Sequence, residues 1–175
     1  MKINARKFAV MLAAAVVLVA GFALPPSFRH RTLHPNASVA LPDGTVYQVQ
    51  IADTPALRDL GLGNLPALGT REGMLFVFPD ASRPIFWMKD MKFPIDIVWL
   101  KKGKGVEGLE SFEVVDKEQN APVPPDPANP DLRYLPEADA DLVLELPAGA
   151  FAAHHLANGD HLDIRLPAGY TAPTN

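Results

Sequence analysis

The sequence predicts an α+β fold, a predominantly antiparallel, curled or barrel-like β-sheet carrying two short helices. Three observations lead there. Apolar residues mostly alternate or form short continuous blocks, the signature of half-buried and fully buried strands. Proline fills 18 of 175 positions, about twice the usual ~5%, and each proline fixes φ and removes a donor, which disfavours an all-helical chain. Helical spacing with start and stop signals occurs in only two places.

The elements follow in order. Thr45-Val46-Tyr47-Gln48-Val49-Gln50-Ile51 alternates and is read as a strand. Asp53-Thr54-Pro55 offers a capping side chain followed by proline at the first helical position. Ala56, Leu57 and Leu60 continue as an apolar stripe that stops at Gly61 and Gly63. Met74 to Phe78 is continuously apolar, so its strand is buried on both faces. Ile85 to Lys89 and Ile95 to Leu100 are read as two further strands separated by Pro94. Lys101-Lys102-Gly103-Lys104-Gly105 is a cationic hairpin turn into a strand from Val106 toward Val115. Ala121 to Glu137 holds six prolines and is excluded from a central strand; loops of such length are commonly functional. Leu142 to Leu146 and His161 to Leu166 complete the strands, with a second helix expected over residues 149–157 and ended by Gly159.

Residues 38–168 thus form one domain, followed by a tail, 169–175. Ahead of it, Lys2, Arg6 and Lys7 precede the apolar run Phe8 to Leu24, with no acidic residue. Residues 1–23 are a signal peptide or an N-terminal membrane anchor; Gly21 and Ala23 suit the small positions of a cleavage site, and both readings stay open. Residues 24–37 are a polar, proline-containing linker. The expected location is periplasmic or extracellular, with anchoring to the inner membrane through residues 8–24 if the segment is uncleaved.

The formal net charge is −4 and the pI near 5.7, which argues against a nucleic-acid partner. Beyond the leader the charge is −7, and residues 105–175 hold 13 acids against 3 bases. This acidity reads as the solvated face of an exported domain. With no cysteine, disulfide scaffolding, thiol catalysis and zinc–thiolate sites are excluded.

Candidate chemistry centres on residues 86–97. On a strand, Trp87 and Lys89 share a face, a stacking platform beside a cation suited to a carbohydrate or an anionic ligand. Asp96 interrupts an apolar strand and needs a partner. Lys89 is the nearest candidate, either as an ion pair pinning the hairpin register or as part of a ligand site. Asp90, Asp96 and Glu145 are the acids that a shared cleft would offer for paired-carboxylate hydrolysis. No nucleophile elbow, phosphate-cradling glycine loop or His-Glu-x-x-His pair is present. Met74, Met88 and Met91 are read as core filler. His154, His155 and His161 have no ligand spacing, so neither a metal nor a cofactor is expected.

Ile51-Ala52-Asp53-Thr54-Pro55, Arg58 with Gly61-Leu62, Gly73 to Phe78, Phe86-Trp87-Met88-Lys89-Asp90-Met91, Pro94-Ile95-Asp96-Ile97, Leu144 to Gly149 and Asn158-Gly159-Asp160 occur in this order. In this series the chain resembles the bacterial and archaeal family known as domain of unknown function 192, over roughly residues 46–166. The Phe-Trp-Met-Lys block with the following Pro-Ile-Asp is its most specific part. The resemblance implies a fold and, because members are often exported behind one apolar segment, a compartment; it implies no reaction. Two departures stand out: Gly63-Asn64-Leu65 lacks an arginine expected after Leu62, and Ala56-Leu57 replaces an acidic residue after Thr54-Pro55. The reading from sequence is therefore a non-enzymatic extracytoplasmic module that binds a sugar, an envelope fragment or a peptide. Its ligand-binding candidates are Trp87, Lys89, Asp90, Asp96 and Glu145; its partners would be a small molecule, glycan or envelope protein. The alternative is a cell-envelope hydrolase.

Overall fold

The computed structural model describes residues 31–104 and 109–174. Its elements are β1 (Ala37–Ala40), β2 (Val46–Ala52), α1 (Pro55–Leu60), β3 (Glu72–Ser82), β4 (Ile95–Lys102), β5 (Glu110–Ala121), β6 (Ala140–Pro147), α2 (Ala150–Ala153) and β7 (His161–Arg165). The strands close into a barrel in the order β1-β2-β3-β6-β4-β5-β7. Every neighbouring pair is antiparallel except β2 and β3. A closed ring needs an even number of antiparallel steps, because each step reverses direction and the last must return to the first. Seven strands therefore require a parallel pair, and the long connection 53–71, which carries α1, provides the crossover such a pair needs. The predominantly antiparallel, barrel-like α+β expectation holds, as a mixed sheet.

The alternation of side chains across β3, β4 and β6 builds two cores, one on each side of the sheet. Leu75, Val77, Val98, Leu100, Leu142, Leu144 and Leu146 join Val39, Val49, Val114, Leu162 and Ile164 inside the barrel. Met74, Phe76, Ile95, Ile97, Trp99 and Val143 point outward, under Leu62, Leu65, Phe86, Met88 and Met91 from the covering loops. Both faces of these strands are thus apolar, which is why Met74 to Phe78 reads as a continuous block.

Helix α1 forms as its sequence directs: Thr54 accepts the Leu57 N–H on its side-chain oxygen, Pro55 occupies the first turn, and Gly61 ends it at φ +49°. Four expectations are corrected. Ile85 to Lys89 is not a strand; only Phe86 bridges, to Tyr134, although Phe86 and Met88 still turn inward and Ile85 and Trp87 outward. The second helix is confined to Ala150–Ala153, because His155 already takes a left-handed φ of +52°. Ala37–Ala40, read as the linker's end and the start of the domain, is strand β1 and seals the barrel between β2 and β7. The strand expected from Val106 toward Val115 is β5, which runs from Glu110 to Ala121, six residues further than expected; Val106 itself lies outside the described residues. The leader also lies outside the described residues.

Gly73 packs β3 tightly against β6, where a Cβ would lie 2.6 Å from the Glu145 carbonyl oxygen. Gly73→Ala must push these strands apart, and we expect a loss of about 1–3 kcal/mol, the usual cost of overpacking, read as a lower urea midpoint with an unchanged slope. An unaltered midpoint would show that the sheet yields there freely.

Candidate functional site

Asp96 lies on β4 with its side chain inside the barrel and no exposed surface. Its carboxyl group accepts three backbone N–H groups. Oδ1 takes Asn120 at 2.8 Å and Gly149 at 3.1 Å, and Oδ2 takes Phe151 at 2.8 Å. Asn120 (φ +54°), where β5 slips register against β4, and Gly149 (φ +83°), just before α2, both take left-handed backbone conformations, which aim donors at the carboxyl group. The expected ion pair with Lys89 does not form. Asp96 is satisfied by backbone donors at one barrel end, and Lys89 stands on the outer loops. The sequence showed correctly that Asp96 needs a partner, but backbone N–H groups leave no compositional mark.

Trp87, Lys89 and Glu145 do come together. They line one small cavity of about 30 Å³ with Arg58, Asp59, Phe76, Phe86 and Met91. The Phe86–Tyr134 bridge, closed by reciprocal N–H···O=C bonds of 2.8 and 2.9 Å, sets Trp87 beside Arg133. The half-exposed Trp87 ring is contacted by two cations, Lys89 Nζ at 5.2 Å and Arg133 Cζ at 4.7 Å from its centroid. Each such contact is worth about 0.5–1 kcal/mol where exposed, enough to bias both side chains toward the ring. A groove of about 280 Å³ adjoins, lined by Arg58, Phe76, Phe78, Ile85, Phe86 and Trp87. The proline-rich segment thus packs against the Trp-Met-Lys block, and Asp90 ties it there. Its N–H donates to Pro127 O at 2.7 Å and its carbonyl accepts from Asn64 N–H at 2.9 Å. Asp90 is a turn residue at φ +56°, and it does not line the cavity.

Glu145 projects from the outer face of β6 and is almost fully buried. Among the described residues its Oε2 has no hydrogen-bond partner. Burial raises its pKa from 4.5 to about 8, against the opposing positive charge of Arg31. Arg31 itself is lowered by burial, partly offset by Glu145, and donates to Gly63 O at 2.6 Å. Arg31, assigned to the linker by sequence, therefore reaches the loop that lacks the expected arginine. Arg58 donates to the Asp53 and Val77 carbonyls at 2.7 and 2.9 Å, pinning α1 to β3. Only the resemblance had drawn attention to it. Arg133 carried no local signal, because its position depends on a long-range bridge.

A second polar chain was missed altogether. Asp43 Oδ2 lies 2.7 Å from His154 Nδ1, and His154 Nε2 lies 3.1 Å from the Tyr47 hydroxyl. His154 thus pairs with Asp43 through Nδ1 and with the Tyr47 hydroxyl through Nε2. Asp43 is lowered in pKa by the Thr45 backbone N–H and by His154. The chain clasps the β1–β2 turn to the residue after α2. It spans more than a hundred positions, so no motif could announce it. Among the described residues no three His, Asp or Glu side chains gather as a metal site requires.

With this geometry established, comparison with known proteins is informative. A family model, DUF192, described as Uncharacterized ACR, matches residues 38–164. No curated protein matches the sequence. Among solved structures, a protein of unknown function from Novosphingobium aromaticivorans DSM 12444 is similar, with a TM-score of 0.58 and 24% identity over 72% of this chain and 81% of its own. A Sinorhizobium meliloti 1021 protein, provisionally described as a transcription regulator, has a TM-score of 0.59 and 22% identity over 75% of this chain and 96% of its own. At these identities the likeness is one of fold.

Two measurements check the two buried acids. Asp96→Leu strands three N–H groups, each worth about 1–3 kcal/mol when buried unpaired. It should unfold the domain or cost at least about 3 kcal/mol, whereas Lys89→Met should stay within about 0.5 kcal/mol. Equal losses for the two would restore the ion pair. For Glu145, the folded state holds a proton that the unfolded state has released between about pH 4.5 and 8. Stability therefore falls as pH rises through that window and levels off above it. Glu145→Gln should remove this fall, so that the difference in melting temperature between variant and wild type grows from pH 5 to pH 8. A constant difference would contradict the buried, raised carboxyl.

Proposed function

The chain belongs to the DUF192 family, which supplies a fold and no reaction, and on that premise we propose that it is a non-enzymatic ligand-binding module of the cell envelope. The observation that carries this reading is the Trp87 ring contacted by both Lys89 and Arg133, beside a cavity lined by Trp87, Lys89 and the buried Glu145. Two cations placed by one aromatic ring are organised before a ligand arrives, which lowers the ordering cost of binding. The ring also offers an apolar surface of the kind that sugars and peptides use. The apolar run Phe8 to Leu24 behind Lys2, Arg6 and Lys7 supports the envelope as the place of action, because that pattern is the one that directs a chain across a membrane.

The hydrolase reading has less support. A carboxylate pair must flank one scissile bond in an accessible cleft. Asp96 faces the barrel interior with both oxygens engaged, Asp90 serves a turn, and Glu145 is left without a second acid of the named set.

The test is intrinsic fluorescence titrated with a panel of envelope glycans and peptides. Trp99 is buried and donates to Pro84 O, so its emission provides a fixed background. Binding should shift the emission of the wild type and leave Trp87→Phe unmoved. A shift that survives Trp87→Phe, or no shift across the panel, would remove the Trp87 platform.

A further inference from the structure

We infer that the ligand of the Trp87 site is an anionic saccharide, its acidic group set on Lys89 beside the Trp87 ring and one hydroxyl turned toward Glu145. The inference rests on the ligand-binding reading above and narrows it to a chemical class.

Charge is the first argument. The chain is acidic as a whole, yet bases converge on this one end. Lys89 and Arg58 line the cavity, Arg133 lies on Trp87, and Arg31 and Lys92 donate to the carbonyls of Gly63 and Asn64. The acids on the same loops are Asp59, which lines the cavity, Asp90 next to Lys89, and Asp126, Asp131 and Glu137 on the proline-rich segment, none of which but Asp59 lines the cavity. Arg58, Arg31 and Arg133 spend donors on backbone carbonyls. Lys89 makes only its ring contact among the described residues, and its ammonium can therefore receive an anion. Lys89 is thus a cavity-lining cation with no hydrogen-bond partner among the described residues, and it favours an anionic partner.

The second argument is independent of charge. Glu145 is almost fully buried and lines the cavity, and its Oε2 has no partner among the described residues. Such an atom is costly unless something pairs with it. The adjoining space, about 30 Å³, admits one hydroxyl-sized group. A hydroxyl suits Glu145 in either protonation state, since it donates to a carboxylate and accepts from a carboxylic acid. An ammonium would meet the surrounding bases, and a methyl would leave Oε2 unpaired. A ligand carrying an anion and a hydroxyl together is a sugar acid or a sugar phosphate.

The test is calorimetric titration of the full-length protein, held in a polyoxyethylene ether detergent, with trigalacturonic acid, maltotriose, glucose 6-phosphate and inorganic phosphate. Wild type should bind at least one of the two acidic sugars about tenfold or more tighter than maltotriose and inorganic phosphate. Glu145→Leu should weaken that sugar by about tenfold, the loss expected when a hydroxyl's partner is removed, while Glu145→Gln stays within about threefold and keeps the fold. Maltotriose binding as tightly as the acidic sugars overturns the anionic class, and inorganic phosphate binding as tightly overturns the saccharide. An undiminished affinity in a folded Glu145→Leu overturns the role of Glu145. If no probe binds, or if Trp87→Ala leaves every affinity unchanged, the ligand-binding reading of this site falls with it.

Discussion

The three backbone N–H groups gathered by Asp96 are the interaction on which the rest of the structure depends. Asn120 lies one residue before the end of β5, while Gly149 caps α2 and Phe151 lies in its first turn. One carboxyl group therefore fastens β4 to both of its neighbours at the same barrel end. A closed barrel has no free edge, but its ends expose turns whose donors cannot enter the ladder. Here a side chain from the central strand accepts them. The price is a polar group inside an apolar barrel, tolerable because both of its oxygens are bonded.

That placement has consequences on the opposite face. With Asp96, Val98 and Leu100 turned inward, Ile95, Ile97 and Trp99 must turn outward, and the paired β6 presents Val143 and Glu145 beside them. An apolar outer face of this size needs a cover. Residues 61–65, 86–91 and the proline-rich segment provide it, joined through Asp90 and the Phe86–Tyr134 bridge. The candidate site is where these covering segments meet imperfectly over Glu145. The two buried acids thus have opposite characters: Asp96 is saturated by backbone donors, and Glu145 retains an oxygen without a protein partner.

Much of this was legible in sequence, for identifiable reasons. Alternation at residues 45–51 and the apolar blocks at 74–78, 95–100 and 142–146 marked the barrel wall, because burial imposes a pattern along each strand. The alternation at 85–89 was also real, but it arises from one bridge and a covering loop rather than from a strand; period alone does not distinguish them. Trp87, Lys89 and Glu145 were singled out and meet at one cavity, whereas the pairing of Lys89 with Asp96 was wrong. Sequence proximity favoured a side-chain partner over backbone N–H groups, which every residue but proline carries. Ala37–Ala40 is too short and weakly apolar to announce a strand. Arg31, Arg133 and the Asp43–His154–Tyr47 chain depend on contacts between distant segments, and nothing local encodes them.

The central claim is that Asp96 fastens the end of β5 and the start of α2 to the first residues of β4. Native-state amide hydrogen exchange tests it most directly, because it reports opening residue by residue. In Asp96→Asn, the amides of Asn120, Gly149 and Phe151 should lose protection together, while the mid-strand amides of β3 and β6 lose only what the global stability loses. Protection retained at the three amides, or lost evenly across the sheet, would contradict the account.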